Sequence, residues 1–228
     1  MSTSQAFEIR SLVFASGERF PALIDGGTGV PDFDVTLYVL TQLRTRNLST
    51  STLTAATRSV MFGYQVLEYM GVNLQHRIDQ GKLLELGEID QLVDRFFWTQ
   101  DKLREALTKP AQVSAPKRVV SLEAVRKSAS AVDNSQTINA ETAATRLLYF
   151  RDFVKWKVDR SLFALATTHE RFQGLTSAKH FLIAAINARM PKGKSQNNLD
   201  ARQGLSSEET ALLLESVKLD SDKNPWKS

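Results

Sequence analysis

The sequence predicts a mainly α-helical protein with a small β-hairpin at its amino end. Strand-like patterning is confined to the first 24 residues, and apolar residues recur at helical spacing from Pro31 onward. Breaker-rich stretches then divide the chain into a hairpin, a bundle of four to five helices, and a short final helix.

Residues 7–24 supply the hairpin. Phe7, Ile9 and Leu12-Val13-Phe14 suit a strand, Ser16-Gly17-Glu18 suits a turn, and Phe20 to Ile24 suits the return. Asp25-Gly26-Gly27-Thr28-Gly29 then breaks regular structure. It lacks the Lys-Ser/Thr of a phosphate-binding P-loop and the spacing of a dinucleotide fingerprint, so it reads as a plain linker.

Pro31 can open the first helix, since a missing N–H costs nothing in a first turn. Val35, Tyr38, Val39 and Leu43 carry its period, and an end is expected near Arg46-Asn47. Ser49 or Ser51 can cap a second helix with Leu53, Ala56, Val60, Tyr64, Leu67 and Met70 on one stripe, terminated at Gly71. An irregular stretch with Leu74 and Ile78 follows. Glu88 to about Leu107 reads as one amphipathic helix bearing Ile89, Leu92, Val93, Phe96, Phe97, Leu103 and Leu107. Residues 109–140, with two prolines and many Ser and Ala, look like an insertion or long connection, with a short helix allowed at 121–131.

Thr137 or Asn139 can cap the next strong helix, whose stripe is Ala143, Leu147, Phe150, Val154 and Val158. Arg146, Arg151, Lys155 and Lys157 lie largely off that stripe. A fifth helix is expected over Ser177 to Ala188, and residues 190–198 have the composition of a basic linker. Ser206-Ser207-Glu208-Glu209 fits a capping box that opens a last apolar helix over Thr210 to Val217. The expected organisation is thus a hairpin extension over 1–30, a helical domain over 31–190, a basic linker over 191–204, and the start of a further domain over 205–228.

Charge is unevenly spread. The whole chain carries a net +4, but residues 1–100 carry −3, residues 101–202 carry +9, and residues 203–228 carry −2. A basic centre between mildly acidic ends suggests a localised polyanion surface, and charge alone equally allows that these Lys and Arg merely solvate helix faces. Cysteine is absent, so disulfides and thiolate metal sites are excluded. No apolar run reaches the roughly 20 residues of a membrane span, and the first residues lack the pattern of a secretory signal.

The order of these pieces resembles the amino-terminal, core-binding (SAM-like) region of the tyrosine recombinase, or phage integrase, family. Leu48-Ser49-Thr50-Ser51-Thr52-Leu53 resembles the phrase that opens a core-binding helix there. Gly71-Val72-Asn73-Leu74-Gln75-His76-Arg77 and Glu88-Ile89-Asp90-Gln91-Leu92 are similar to phrases that follow it. Thr142 to Phe153 is similar to the last core-binding helix, and Gly204-Leu205-Ser206-Ser207-Glu208-Glu209 resembles the opening of the catalytic domain. The 109–140 stretch departs from compact members. The resemblance implies that the chain grips duplex DNA as half of a clamp, in a cytoplasmic, bacterial setting at the nucleoid, with self-association on DNA as a further expectation. By position it selects Ser51, Thr52 and Arg58 on one helix, and Thr145, Arg146, Arg151 and Lys155 on another. Lys157 shares the basic side of that second helix. Arg44 and Arg46 can contact phosphate or cap their helix. Lys192 and Lys194 can hold phosphates without reading sequence, or belong to a simple linker.

The family's chemistry needs a tyrosine nucleophile, two arginines and a His-x-x-Arg phrase, because fixed cations stabilise the charge growing on the phosphate. The positions three residues after His76, His169 and His180 are Asp79, Phe172 and Ile183, and the last tyrosine is Tyr149. The chain is therefore expected to bind DNA without cutting it, as a family member cut off before its catalytic residues. Neither a cofactor, a metal, a membrane nor a small-molecule substrate is expected. A helical protein–protein interaction module of a mobile-element system is the alternative, and His180 reads as structural.

Overall fold

In a computed structural model of the chain, residues 7–108, 136–192 and 206–218 are described. Two compact units divide between Lys192 and Gly193. The expected helix at 121–131, most of the 109–140 stretch, and Lys194 lie outside the described residues.

The fold is mainly helical, with one two-stranded antiparallel sheet. Strand β1 (Phe7–Val13) pairs with β2 (Arg19–Asp25) in a register that sets Phe7 opposite Asp25 and Val13 opposite Arg19. β2 buries Phe20, Ala22, Leu23 and Ile24 in the core, whereas β1 is largely exposed beyond Ile9. The segment after β2 is a built turn rather than a plain linker. Asp25 Oδ1 accepts from the N–H groups of Gly27 (2.8 Å) and Thr28 (3.2 Å), and Asp25 N–H donates to the Val30 carbonyl at 2.9 Å. An aspartate side chain that satisfies nearby backbone donors fixes a turn locally.

Helix α1 (Phe33–Tyr38) is capped by Asp32, whose carboxylate accepts from Val35 N–H at 2.8 Å. Pro31 instead bridges back to Ile24, which displaces the expected helix start. The chain continues through a π turn over Val39–Leu43 and a 3₁₀ turn over Arg44–Arg46, then stops at Asn47, whose φ is +53°. The long helix α2 (Thr50–Tyr69) starts at the expected cap, Ser49. Gly71, at φ +69°, reverses the chain after it, and Val72 N–H returns to the Leu67 carbonyl at 2.9 Å. The stretch expected to be irregular contains a short helix α3 (Leu74–Asp79), capped by Asn73.

The single helix expected over 88–107 is two: α4 (Leu86–Phe96) and α5 (Gln100–Thr108). Between them, Thr99 N–H donates to the Gln136 carbonyl (3.1 Å), and Phe97 O accepts from Ile138 N–H (2.8 Å). A distant strand-like contact thus takes backbone groups that a continuous helix would have used. Helix α6 (Ala140–Phe163) is capped by Asn139 and buries the expected stripe together with Phe153 and Leu162. Helix α7 (Glu170–Ala188) begins seven residues before the expected Ser177.

The core is organised around α2, which packs against β2, α4, α5 and α6. Gly63 lets α2 and α6 pack closely. A Cβ built there would stand 2.1 Å from Cδ2 of Phe150, a side chain only 1 % exposed. The Phe150 ring also leans on Phe96 at 5.5 Å between centroids, and Phe96 meets Phe62 edge-on at 5.4 Å.

The second unit contributes α8 (Ser207–Val217) among the described residues. Ser206 and Glu209 form the expected capping box, each side chain reaching the other's backbone N–H. Leu212, Leu213, Leu214 and Val217 are all exposed on it. No helix among the described residues is long and apolar enough to cross a membrane.

Candidate nucleic-acid interface

Helical geometry divides α2 into an open half and a covered half along one stripe. Residues 51, 55, 58, 62, 65 and 69 follow the i, i+4, i+7 spacing of a single helix face. Ser51, Ala55 and Arg58 are exposed, Phe62 and Gln65 on the same stripe are buried, and Tyr69 at its far end is exposed again. At the open end, Ser49 Oγ lies 2.9 Å from both Ser51 Oγ and Thr52 Oγ1, so three hydroxyls cluster at the first turn. The helix dipole adds partial positive charge there.

The covered half shows what adjoins that surface. The Arg146 guanidinium of α6 lies 4.7 Å from the centroid of Phe62 and donates to the Trp98 carbonyl at 3.0 Å. Burial pushes the Arg146 guanidinium down from its ordinary value. Tyr69 meets Trp98 edge-on at 5.6 Å, and Gln65 accepts from Gln100 Nε2 at 2.6 Å. Two further cations converge on the Trp98 ring, Lys102 at 4.7 Å and Arg95 at 5.5 Å. Arg58, one turn before the buried Phe62, thus lies on the α2 face that leads to the Arg146 contact and, farther along, to the Trp98 cations at the α4–α5 junction. Exposed Asp101 and Glu141 accompany these cations on the same elements.

Arg95 and Lys102 were not anticipated from the sequence. Their signal was present as basic residues bracketing a tryptophan at 95, 98 and 102, but an expected continuous helix through 98 concealed it. Trp98 is half-buried against the core, in keeping with a core or interface role.

The expected single basic face of α6 is corrected. At about 100° per residue, nine residues place Lys155 half a turn around the axis from Arg146. Lys155 is exposed and makes no ion pair with the described residues. Arg151, about 140° from Arg146 by the same geometry, is engaged by Asp152 (2.7 Å) and by Asn187 of α7. Lys157 lies near the Arg146 azimuth but three turns on, where it is buried and ion-paired to Asp34 of α1, an acid shared with Arg160. A buried lysine committed to a carboxylate is not available to a phosphate.

The remaining expected residues are scattered. Thr145 is exposed and donates to the Glu141 carbonyl at 2.9 Å. Arg44 forms a two-pronged pair with Glu18 (2.8 Å from Nε) and lies over Phe14, so it ties the 3₁₀ turn to the hairpin. Arg46 and Lys192 are exposed. His180, expected to be structural, is also exposed. No group of three or more His, Cys, Asp or Glu that could hold a metal occurs among the described residues. Neither a family model, nor a curated protein, nor a solved structure matches the chain.

Proposed function

We propose that the chain is the DNA-binding part of a site-specific tyrosine recombinase or integrase, and that it holds duplex DNA without cutting it. One observation carries this reading: the open Ser51–Ala55–Arg58 stripe of α2 runs into the Arg146–Phe62 stack and the Trp98 cation cluster. Hydroxyls at a helix start hold phosphate oxygens, a small residue such as Ala55 lets the helix backbone approach a groove, and the arginine reaches an acceptor edge. The resemblance of the α2 and α6 phrases to the core-binding helices selects the same two elements. Arg146 then serves as a brace that sets the angle between them. Arg58 and Lys102 are the contacting cations.

Fluorescence anisotropy with a labelled duplex tests this. Binding is expected to weaken steeply as salt rises, because each neutralised phosphate releases condensed counterions. Arg58→Ala is expected to weaken binding by roughly tenfold, and Lys102→Ala to lower the salt slope by about one while leaving the melting temperature unchanged. Binding that ignores both salt and these substitutions would defeat the reading. Arg146→Ala and Arg151→Ala are poor probes, since each removes contacts that hold helices together.

A second reading, a helical protein–protein interaction module, is favoured by the exposed Leu212, Leu213, Leu214 and Val217 of α8. It predicts no salt-dependent affinity for a duplex.

A further inference from the structure

Among the described residues, the outer edge of β1 is unpaired, and the ladder fixes its phase. Phe14 N–H donates to the Glu18 carbonyl at 2.9 Å. Hydrogen-bonded pairs alternate along an antiparallel ladder. Leu12–Phe20, Arg10–Ala22 and Glu8–Ile24 are therefore the hydrogen-bonded pairs of the register. Three independent features share that phase. On the far edge of β2, Asp25 N–H reaches the Val30 carbonyl (2.9 Å) and the Leu23 carbonyl accepts from Asp32 N–H (2.7 Å), so odd-numbered residues of β2 face away from β1. Pro21, which has no N–H to give, sits opposite Ser11 in that same phase.

Phe7, Ile9, Ser11 and Val13 consequently turn their N–H and C=O groups outward. No backbone group among the described residues pairs with them. An edge of this kind is a template for another strand.

The pattern of side chains selects the strand. Glu8 and Arg10 are exposed on the outer face and already bonded to each other, Arg10 Nη2 lying 2.8 Å from Glu8. Phe7 and Ile9 face the core side, where Phe7 stacks on Tyr64 at 5.6 Å. If a second β1 runs antiparallel to the first with Ile9 on the two-fold axis, Glu8 of each copy stands directly opposite Arg10 of the other. Opposite charges placed across two strands attract, and symmetry supplies this pair twice. The same register sets Ile9 against its own copy on the core side and pairs Phe7 with Ser11. Moving the axis to Arg10 would instead place the two guanidinium groups face to face, which like-charge repulsion opposes.

We propose that two copies of this chain associate through their β1 edges, with Ile9 on the dyad, to form a four-stranded antiparallel sheet. The surface is small, so the association is weak and concentration-dependent. It stands or falls independently of DNA binding.

Sedimentation equilibrium of the full chain without DNA, over a wide range of concentrations, is the test. Monomer at low concentration and dimer at high concentration is the expected result. A dissociation constant raised about tenfold or more is expected for Ser11→Pro, because that N–H points outward and serves no bond to β2. Glu8→Arg and Arg10→Glu should each weaken the dimer, and the double variant Glu8→Arg/Arg10→Glu should restore it. If Ser11→Pro disturbs the far-ultraviolet spectrum, the charge variants decide alone, since both side chains are exposed. A wild-type chain that stays monomeric at every concentration, as it would if this edge accepted a segment of another protein, overturns the proposal. So does a dimer indifferent to Ser11→Pro, or a charge swap that fails to restore association.

Discussion

Gly63→Ala is expected to destabilise the protein by about 2 kcal/mol, although the same substitution in an exposed helix would stabilise by roughly 1 kcal/mol. The added methyl group would meet the Phe150 ring at 2.1 Å, far inside contact distance. The ring has little freedom to retreat, because Phe150 is 1 % exposed and leans on Phe96, which in turn leans on Phe62. Either the helices separate or several aromatic rings shift together. Overpacking of this kind costs about 1–3 kcal/mol, and the site lies toward the upper end because ring atoms rather than a flexible tip are struck. The propensity gain offsets part of that loss. Urea denaturation monitored by circular dichroism measures the difference. Phe150→Leu should rescue Gly63→Ala in part, so that the double variant is more stable than additivity of the two single losses allows. A stabilised Gly63→Ala protein would show that α2 and α6 do not meet at this point.

The limits of sequence reading follow from which forces are local. The Ser49 cap, the α2 stripe, the α6 stripe and the Ser206 capping box were all legible, because each is decided within one or two turns of chain. The hairpin was legible for the same reason. The break at Phe97–Thr99 was not, since the apolar period runs straight through it. Its cause is the bond between Thr99 and Gln136, partners distant in sequence. Helix α7 begins early because the His169 ring nitrogen accepts from Arg171 N–H (3.1 Å), in a polar stretch where Gly174 obscures the period. The candidate site divides along the same line. That Arg58 shares a stripe with Ser51 follows from helical spacing, and so does the opposition of Arg146 and Lys155. Which cations are spent internally does not. Lys157 finds its acid 123 residues away, and Arg146 finds a carbonyl 48 residues away.

Asp34→Ala is the other substitution with a large expected effect, a loss of about 2–3 kcal/mol. Asp34 accepts from both Lys157 and Arg160 and thereby ties α1 to α6. The Lys157 side chain is 9 % exposed, so losing its partner strands a charge away from water, for which about 3–5 kcal/mol is typical. The estimate is reduced because Asp34 is itself 23 % exposed, Arg160 is 42 % exposed, and water screens that outer pair. Asp34→Leu combined with Lys157→Met should recover most of the loss, because an apolar pair of similar size replaces the ions. The pH dependence has a definite sign. Burial pushes the Asp34 carboxyl up, but the hydrogen bonds and charges of Lys157 and Arg160 outweigh it and hold the group below the ordinary aspartate value of 3.8. Below that value the unfolded chain binds the extra proton first, so stability falls as the pH drops from 3.8 through the folded value, and the contribution is complete above 3.8. Asp32 works in the opposite direction, since burial raises its carboxyl. The quantity to measure is therefore the difference in unfolding free energy between wild type and Asp34→Asn. It should be largest near neutral pH and shrink as the solution is acidified. A difference that grows in acid would mean that the carboxylate of Asp34 does not hold these two cations in the folded protein.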